Sequence, residues 1–130
     1  MSRPQISEFK SKKGMKRIVS ASRYSFQGLA FAWQSEHAFR QELLLAVPAI
    51  CTAMLLPLAV LEKLALVAVL VLVLVVELLN SAIEAVVDRI SLERHPLSRV
   101  AKDLGSAAVF LCLMLAALTW ALLVLPLLYR

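Results

Sequence analysis

The chain has 130 residues, of which 61% are hydrophobic, and its mean hydropathy is +0.80. The length predicts a single domain, residues 1–130, and the apolar content excludes an ordinary soluble protein. The formal net charge is +5. No segment resembles a soluble nucleic-acid-binding fold, so we expect no nucleic-acid partner and assign the basic residues to anionic lipid headgroups.

The N-terminal part divides into a polar tail and an amphipathic segment. Residues 1–14 are polar and basic and lack the apolar core of a cleaved signal peptide, so they are interpreted as a frayed tail. In residues 15–42, aromatic and aliphatic side chains alternate with charged ones. This pattern is typical of a helix at the membrane interface, with its aromatic side chains at headgroup level. A water-facing extension of the first spanning helix is the alternative.

Three later segments approach the ~20 apolar residues that a membrane-spanning helix needs. They are residues 43–61, 64–90 and 104–128. The first two are separated only by Glu62 and Lys63, which predicts a tight helical hairpin, and a polar loop of residues 91–103 joins the second to the third. The predicted fold is an all-α membrane protein with three transmembrane helices and an interfacial N-terminal helix.

The distribution of basic residues predicts the orientation of these spans. Eight of the fourteen Lys and Arg residues precede Leu43, and four more lie between Arg89 and Lys102. The positive-inside rule therefore places the N-terminus and the loop of residues 91–103 in the cytoplasm. With three spans, the C-terminus is expected on the periplasmic side.

A stripe of polar residues lies in the second half of the second predicted span. Thirteen uninterrupted apolar residues end at Val76, and Glu77, Asn80, Glu84 and Asp88 come next. On a helix they share an arc of about 80° and a length of roughly 16 Å. Carboxylates near lipid are energetically unfavourable, so they usually face a bundle interior and serve a function. The stripe is thus a candidate site for a cation, a phosphate-bound metal or protons.

The depth of each acid indicates what it can do. Glu77 is the deepest charge and a candidate proton acceptor, although a hydrogen-bonded lock between helices is the structural alternative. Glu84 lies two turns closer to the cytoplasm, and Glu36 is expected at a similar depth. Together they can supply the one or two carboxylates that Mg²⁺ usually takes beside substrate phosphates. Considered by itself, Glu36 is better explained by solvation or by pairing with Arg40.

The predicted loop and the start of the third span carry groups suited to phosphate. Lys102 can reach a phosphate as a point charge, although a solvated loop is the alternative. Small residues at 105–108 allow close helix approach, which alone accounts for the run, and a polar ligand at Ser106 is the functional alternative. No Walker sequence, kinase glycine-rich loop, GxSxG or HExxH occurs. A nucleotide site here must therefore consist of carboxylates, Mg²⁺ and basic side chains.

With these residues identified, the chain resembles the bacterial integral-membrane diacylglycerol kinases over roughly residues 17–120. The matching segments are EHAFRQE at 36–42 and ELLNSAIEAVVDRI at 77–90, followed by His95, Ser98, AKD at 101–103 and GSAAV at 105–109. The run at 77–89 is long enough to be highly specific. Phe26, Ala30 and Ser35 depart from the family, which puts polar contacts at the last two positions in doubt but not the chemistry.

The resemblance implies a homotrimer in the bacterial inner membrane. It implies transfer of the γ-phosphate of Mg-ATP to the hydroxyl of diacylglycerol, giving phosphatidic acid. Glu77 would be the base, Asn80 would support it, and Glu36 and Glu84 would hold Mg²⁺. The residues implied to bind ATP are Arg17, Tyr24, Glu36, Glu84, Glu93, Arg94, His95, Lys102 and Asp103. Those implied to contact or frame the lipid are Arg17, Ser25, Trp33, Arg40, Gln41, Glu42, Glu77 and Ser106.

Three alternatives remain beside this prediction. Undecaprenol kinases share the acidic stripe, but residues 88–90 and 105–108 look more like the Gram-negative diacylglycerol enzymes. A small proton-coupled transporter also uses an intramembrane Glu, but it normally has four spans and one buried carboxylate. A purely structural membrane subunit leaves the clustered acids unexplained. The favoured prediction is therefore an ATP-dependent diacylglycerol kinase.

Overall fold

The computed structural model describes residues 14–129, and the helices there cover nearly the whole described chain. They are α1 (Met15–Ser35), α2 (His37–Leu55), α3 (Val60–Ile90), α4 (Pro96–Val124) and a short C-terminal 3-10 helix (Leu125–Tyr129). No strand occurs among residues 14–129, so the predicted all-α class is confirmed. Apart from Gly14, the predicted tail lies outside the described residues.

The chain divides into two compact units, Met1–Ser35 and Glu36–Arg130. In the first, α1 begins directly after Gly14, whose φ of 67° is a left-handed conformation that favours glycine. Within α1, Ser25 Oγ donates to the carbonyl of Ala21 at 2.9 Å, a common way for a helical serine to satisfy its hydroxyl. The location of α1 at the membrane interface stays a prediction.

The break before the first apolar helix falls at Glu36, not at the predicted boundary between residues 42 and 43. Glu36 has extended backbone dihedrals, φ −102° and ψ 108°, and is the N-cap of α2. Residues 37–42 therefore form the first turns of α2. Their polarity suggested membership of the N-terminal segment, but composition does not locate a change of backbone conformation within a continuous helical pattern.

Helix α2 ends at Leu55, earlier than the predicted residue 61, because a proline follows closely. Leu56 precedes Pro57 and has ψ 146°, the extended conformation that the residue before a proline prefers. The connection to α3 consists of residues 56–59. The predicted tight hairpin is present, but its turn lies before Glu62 and Lys63.

Glu62 and Lys63 belong to the first turn of α3, where both support the hairpin. Glu62 Oε2 accepts a hydrogen bond from the backbone N–H of Ala59 at 2.8 Å. Lys63 Nζ donates to the carbonyl oxygen of Met54 at 2.8 Å, and so links the end of α2 to the start of α3. Backbone groups at helix ends lack helical partners, and these two charged side chains supply hydrogen bonds to them.

Helix α4 begins at Pro96, eight residues before the predicted start of the third span. Proline suits the first helical position because its missing N–H would have no helical partner there. His95 is the N-cap, and its Nδ1 accepts from the backbone N–H of Leu97 at 3.2 Å. The predicted loop of residues 91–103 is therefore only residues 91–95, and Lys102 lies on a helix.

Helices α2, α3 and α4 are each long and apolar enough to cross a membrane, which confirms the three predicted spans in number. Helix α3 packs against both α2 and α4. The core between them is thin and contains several small residues: Ala46, Ala53, Leu66, Val73, Val109 and Ala116 are buried. Small side chains let membrane helices approach closely. Trp120 Nε1 of α4 also donates a hydrogen bond to the backbone carbonyl of Leu66 on α3, at 3.3 Å.

Candidate active site

Glu77 is the only charged side chain that is buried among residues 14–129, with 5% of its surface exposed. It projects from α3 toward the interior of the α2–α4 unit rather than toward lipid, as its place on the stripe predicts. A buried carboxylate in a membrane bundle is expected to have charged or polar neighbours. Those neighbours define the site.

Three further carboxylates lie near Glu77. The charges of Glu84 on α3 and Glu36 before α2 act on the Glu77 carboxyl group, and the charge of Glu77 acts on Glu42 of α2. The two predicted metal ligands, Glu36 and Glu84, are thus near enough to Glu77 to act on it electrostatically. Glu36 and Glu42 come from outside α3, so the stripe on α3 alone supplied only part of this set of acids.

Asn80 links two levels of the stripe. Its Nδ2 donates to Glu84 Oε1 at 3.1 Å, one helical turn further along α3. Its Oδ1 is buried and has no hydrogen-bond partner. This donor to one of its oxygens orients the Glu84 carboxylate.

The cytoplasmic end of the stripe is joined to α4 by an ion pair. Lys102 Nζ lies 2.7 Å from Asp88 Oδ1, and the charge of Glu84 also acts on this ammonium group. Both side chains of the pair are roughly half exposed. An exposed ion pair contributes little to stability. The main consequence of this pair is that the Lys102 ammonium group lies beside the acidic stripe.

A polar pocket of about 790 Å³ opens at this end of the unit. Its lining includes five of the residues predicted to bind ATP: Glu93, Arg94, His95, Lys102 and Asp103. Arg99 also lines it and pairs with Asp103 at 3.6 Å, although the sequence reasoning did not assign Arg99. The signal that could have found it is its i,i+4 spacing to Asp103, which matters only once α4 is known to begin at Pro96.

An apolar groove of about 280 Å³ lies along the part of α3 that precedes Glu77. Apolar side chains from all three helices line it, including Leu45, Leu70, Leu74, Leu113 and Trp120. Glu42 stands in this lining, and its Oε2 is buried without a hydrogen-bond partner. The sequence reasoning predicted Glu42 as a lipid contact but missed the groove, because its apolar residues look like any others in the spans.

Other predicted lipid contacts are dispersed. Arg40 Nη2 lies 2.7 Å from His37 Nδ1 on α2. Gln41 and Ser106 are exposed and line neither cavity. Arg17, Tyr24, Ser25 and Trp33 belong to α1, in the other compact unit. Their roles stay predictions.

The donor set suits a metal that arrives with a substrate. Among the described residues 14–129, no group of three or more His, Cys, Asp or Glu side chains could hold a metal ion by itself. Mg²⁺ does not need such a group, since it is usually bound through one or two carboxylates plus substrate phosphates. Glu36 and Glu84, whose charges both act on Glu77, stay the predicted carboxylates for such an ion.

The fold and the site define a class of protein: a multi-pass helical membrane protein with a buried acid on the helix that connects an apolar groove to a pocket lined by charged residues of both signs. Residues 23–124 match the prokaryotic diacylglycerol kinase family. The chain belongs to this family, which confirms the resemblance deduced from the stripe and the loop.

Three bacterial relatives are similar in sequence to this protein over most of its length. A diacylglycerol kinase of Pseudomonas aeruginosa is 54% identical over 115 residues, 88% of this chain and 94% of the relative. A diacylglycerol kinase of Escherichia coli (strain K12) is 47% identical over 110 residues, 85% of this chain and 90% of the relative. That of Haemophilus influenzae is 43% identical over 107 residues, 82% of this chain and 91% of the relative.

Proposed function

We propose that this protein transfers the γ-phosphate of Mg-ATP to the free hydroxyl of diacylglycerol, giving phosphatidic acid and ADP. Its family and its named relatives make it a lipid kinase that acts on diacylglycerol with ATP as the donor. The named relatives are all diacylglycerol kinases, which favours this substrate over undecaprenol.

One observation carries the chemical proposal: the two cavities meet α3 on either side of Glu77. Leu74 lines the apolar groove and Asp88 lines the polar pocket, and both are on α3. They are separated by about 21 Å of helix at 1.5 Å per residue, with Glu77, Asn80 and Glu84 in between. A lipid that extends from the groove and a nucleotide that extends from the pocket along this face of α3 would both reach the acids. This arrangement supports a kinase whose acceptor is dissolved in the membrane.

The apolar groove suits the hydrocarbon chain of the lipid, with the glycerol end directed toward Glu42 and Glu77. A ligand hydroxyl there would satisfy the unpartnered oxygen of Glu42, whose burial is otherwise unfavourable. Glu77 is the proposed base. The hydroxyl oxygen forms a bond to the γ-phosphorus, its proton passes to the Glu77 carboxylate, and the bond from the γ-phosphorus to the β–γ bridging oxygen breaks to release ADP.

The polar pocket suits the nucleotide. Arg94, His95 and Lys102 provide cationic or hydrogen-bonding groups for phosphates, and Glu93 and Asp103 can accept from the ribose or the base. Glu36 and Glu84 would hold Mg²⁺, which when bound neutralises charge on the transferred phosphoryl group. Lys102 would exchange its contact with Asp88 for a phosphate oxygen when ATP arrives. Catalysis then consists mainly of positioning and charge stabilisation.

The remaining parts of the proposal concern α1, assembly and orientation. The roles in nucleotide and lipid binding that the family resemblance gives to Arg17, Tyr24, Ser25 and Trp33 of α1 are part of this proposal. A homotrimer would cover Glu36, Glu42 and Glu84, which are only partly buried in the three-span unit, and so shield them from lipid. The charge distribution supports a bacterial inner-membrane protein with a cytoplasmic N-terminus and a periplasmic C-terminus.

The direct test is phosphorylation of diacylglycerol in mixed micelles with Mg-ATP, measured as phosphatidic acid formed. Undecaprenol serves as the competing acceptor in a parallel assay. We expect rapid, Mg²⁺-dependent conversion of diacylglycerol and much slower conversion of undecaprenol. No phosphorylated lipid from the parent protein overturns the kinase proposal, and preferential conversion of undecaprenol replaces the substrate but not the reaction.

A further inference from the structure

Gly105 on α4 lies directly against the side chain of Asn80 on α3. A Cβ placed on Gly105 would overlap Asn80 Oδ1 and would lie 3.2 Å from Asn80 Cγ. Gly105 itself is buried. The space that any other residue would fill at this point of α4 is therefore occupied by the carboxamide of Asn80.

The orientation of this carboxamide follows from its two neighbours. Nδ2 donates to Glu84 Oε1 at 3.1 Å, and an ionised carboxylate can only accept. Oδ1 must then point away from Glu84, and it is the atom that would collide with a side chain on Gly105. Oδ1 is buried and accepts no hydrogen bond. At this end, the carboxamide is positioned by its contact with the bare backbone of α4.

We propose that Gly105 is a positioning residue for the phosphoryl-transfer site. By lacking a side chain, it lets the Asn80 carboxamide lie against α4 and hold Glu84 Oε1 from the side. The inference deepens the proposed function and rests on it in one respect, the assignment of Glu84 to Mg²⁺. The chain of contacts is Gly105 to Asn80 to Glu84, and Gly105 lines neither the apolar groove nor the polar pocket.

A methyl group at Gly105 should act through this chain of contacts. Asn80 would have to rotate away from α4, because the overlapping atom belongs to its rigid carboxamide and not to a long flexible side chain. Glu84 would then lose the donor that orients it. Removing such a supporting partner typically weakens metal affinity or activity about 10- to 100-fold. We expect Gly105→Ala to produce a loss of that order.

The chain provides a matched control. Gly28, on α1, has nothing within 4 Å of the position that a Cβ would take. Gly28→Ala adds the same methyl group to a helix without the overlap. We expect this variant to keep the parent's metal affinity within about twofold.

A direct readout of the contact is available because Asn80 is the only asparagine in the sequence. Protein labelled with 15N-asparagine in detergent micelles should give one pair of side-chain NH₂ signals in a 1H–15N correlation spectrum. This pair should shift in Glu84→Gln, which replaces the carboxylate acceptor, and in Gly105→Ala, but not in Gly28→Ala. A Gly105→Ala pair that superimposes on the parent's overturns the proposal.

The functional consequence is tested with Mn²⁺ in place of Mg²⁺, with a non-hydrolysable ATP analogue present and free Mn²⁺ measured by electron paramagnetic resonance. Gly105→Ala should weaken Mn²⁺ binding about 10- to 100-fold. In an Asn80→Ala background it should have no further effect, since the nearest Asn80 atom left, Cβ, would be 3.8 Å from the new methyl. An equal loss in both backgrounds overturns the proposal, even if Gly105→Ala alone folds poorly.

Failure of the underlying assignment has a separate signature. If Glu84→Gln leaves Mn²⁺ affinity unchanged, Glu84 is not the metal ligand and that part of the proposed function is wrong. The NMR result for Gly105→Ala is read without reference to metal, so it decides the positioning contact independently.

Discussion

Both halves of α3 pack against α4, but they do so through different kinds of contact. In the first half, up to Val76, contacts with neighbouring helices are made mainly by aliphatic side chains, and Leu66 and Val73 are buried. In the second half, contacts involve particular atoms: Asn80 against Gly105, and Lys102 Nζ with Asp88 Oδ1. Apolar packing tolerates substitution of similar volume, whereas a directional polar contact does not. Changes in the second half should therefore affect chemistry, and changes in the first half should affect lipid binding or stability.

The largest effect is expected at Glu77. Glu77→Gln keeps the shape of the side chain but removes its capacity to accept a proton, and general-base catalysis typically contributes 10²- to 10⁴-fold. We expect kcat for phosphatidic acid formation to fall by about that factor, with the KM for Mg-ATP little changed. The measurement is transfer of label from γ-labelled ATP to diacylglycerol in mixed micelles.

The matched control for Glu77→Gln is Glu62→Gln at the other end of the same helix. Glu62 accepts from the N–H of Ala59 far from the stripe, so its amide variant should retain turnover. Equal activity of Glu77→Gln and the parent would remove the base assignment.

A second effect is expected at the proposed metal ligands. Glu84→Gln and Glu36→Gln should each raise the Mg²⁺ concentration needed for half-maximal activity by about 100-fold, at the upper end of what loss of a supporting partner causes. The measurement is activity against total Mg²⁺ at saturating diacylglycerol. A variant with reduced kcat but an unchanged Mg²⁺ dependence would contradict its assignment as a ligand.

A third effect should be confined to the lipid. Leu74 lines the apolar groove, so Leu74→Trp should fill part of it and raise the KM for diacylglycerol about 10-fold or more, with the KM for Mg-ATP unchanged. Leu72→Trp is the matched control, because Leu72 lies two residues away, is 40% exposed and does not line the groove. If both variants raise the KM equally, the groove is not the lipid site.

The smallest effect is expected for the exposed ion pair. Asp88→Asn should lower the free energy of unfolding by only about 0.2–1 kcal/mol, since both partners are roughly half exposed to water. The measurement is unfolding in SDS at low and at high salt, where screening should reduce the difference in unfolding free energy between the variant and the parent at high salt.

Lys102→Met should lower the free energy of unfolding by a similarly small amount, but it should weaken nucleotide binding. Equal kinetic effects of the two variants would show that the pair, and not the lysine, supports the nucleotide.

Local signals in the sequence were enough for part of the fold. Pro96 at the first position of a helix is a start signal that would have placed α4 correctly, and Pro57 likewise explains the early end of α2. The predicted boundaries followed hydropathy instead, so they missed the polar turns at which α2 and α4 begin. Hydropathy reports where a helix meets lipid and not where its hydrogen bonds start.

The sequence by itself determined the three apolar helices, the single face that carries Glu77, Asn80, Glu84 and Asp88, and the family to which the chain belongs. These depend on local spacing, because 3.6 residues per turn place side chains on a helix without reference to other elements. Only the tertiary structure decided which groups meet between helices: Asn80 with Gly105, Lys102 with Asp88 and Glu42 with the groove. Such contacts depend on the rotation and separation of packed helices, which residue spacing along one helix does not specify.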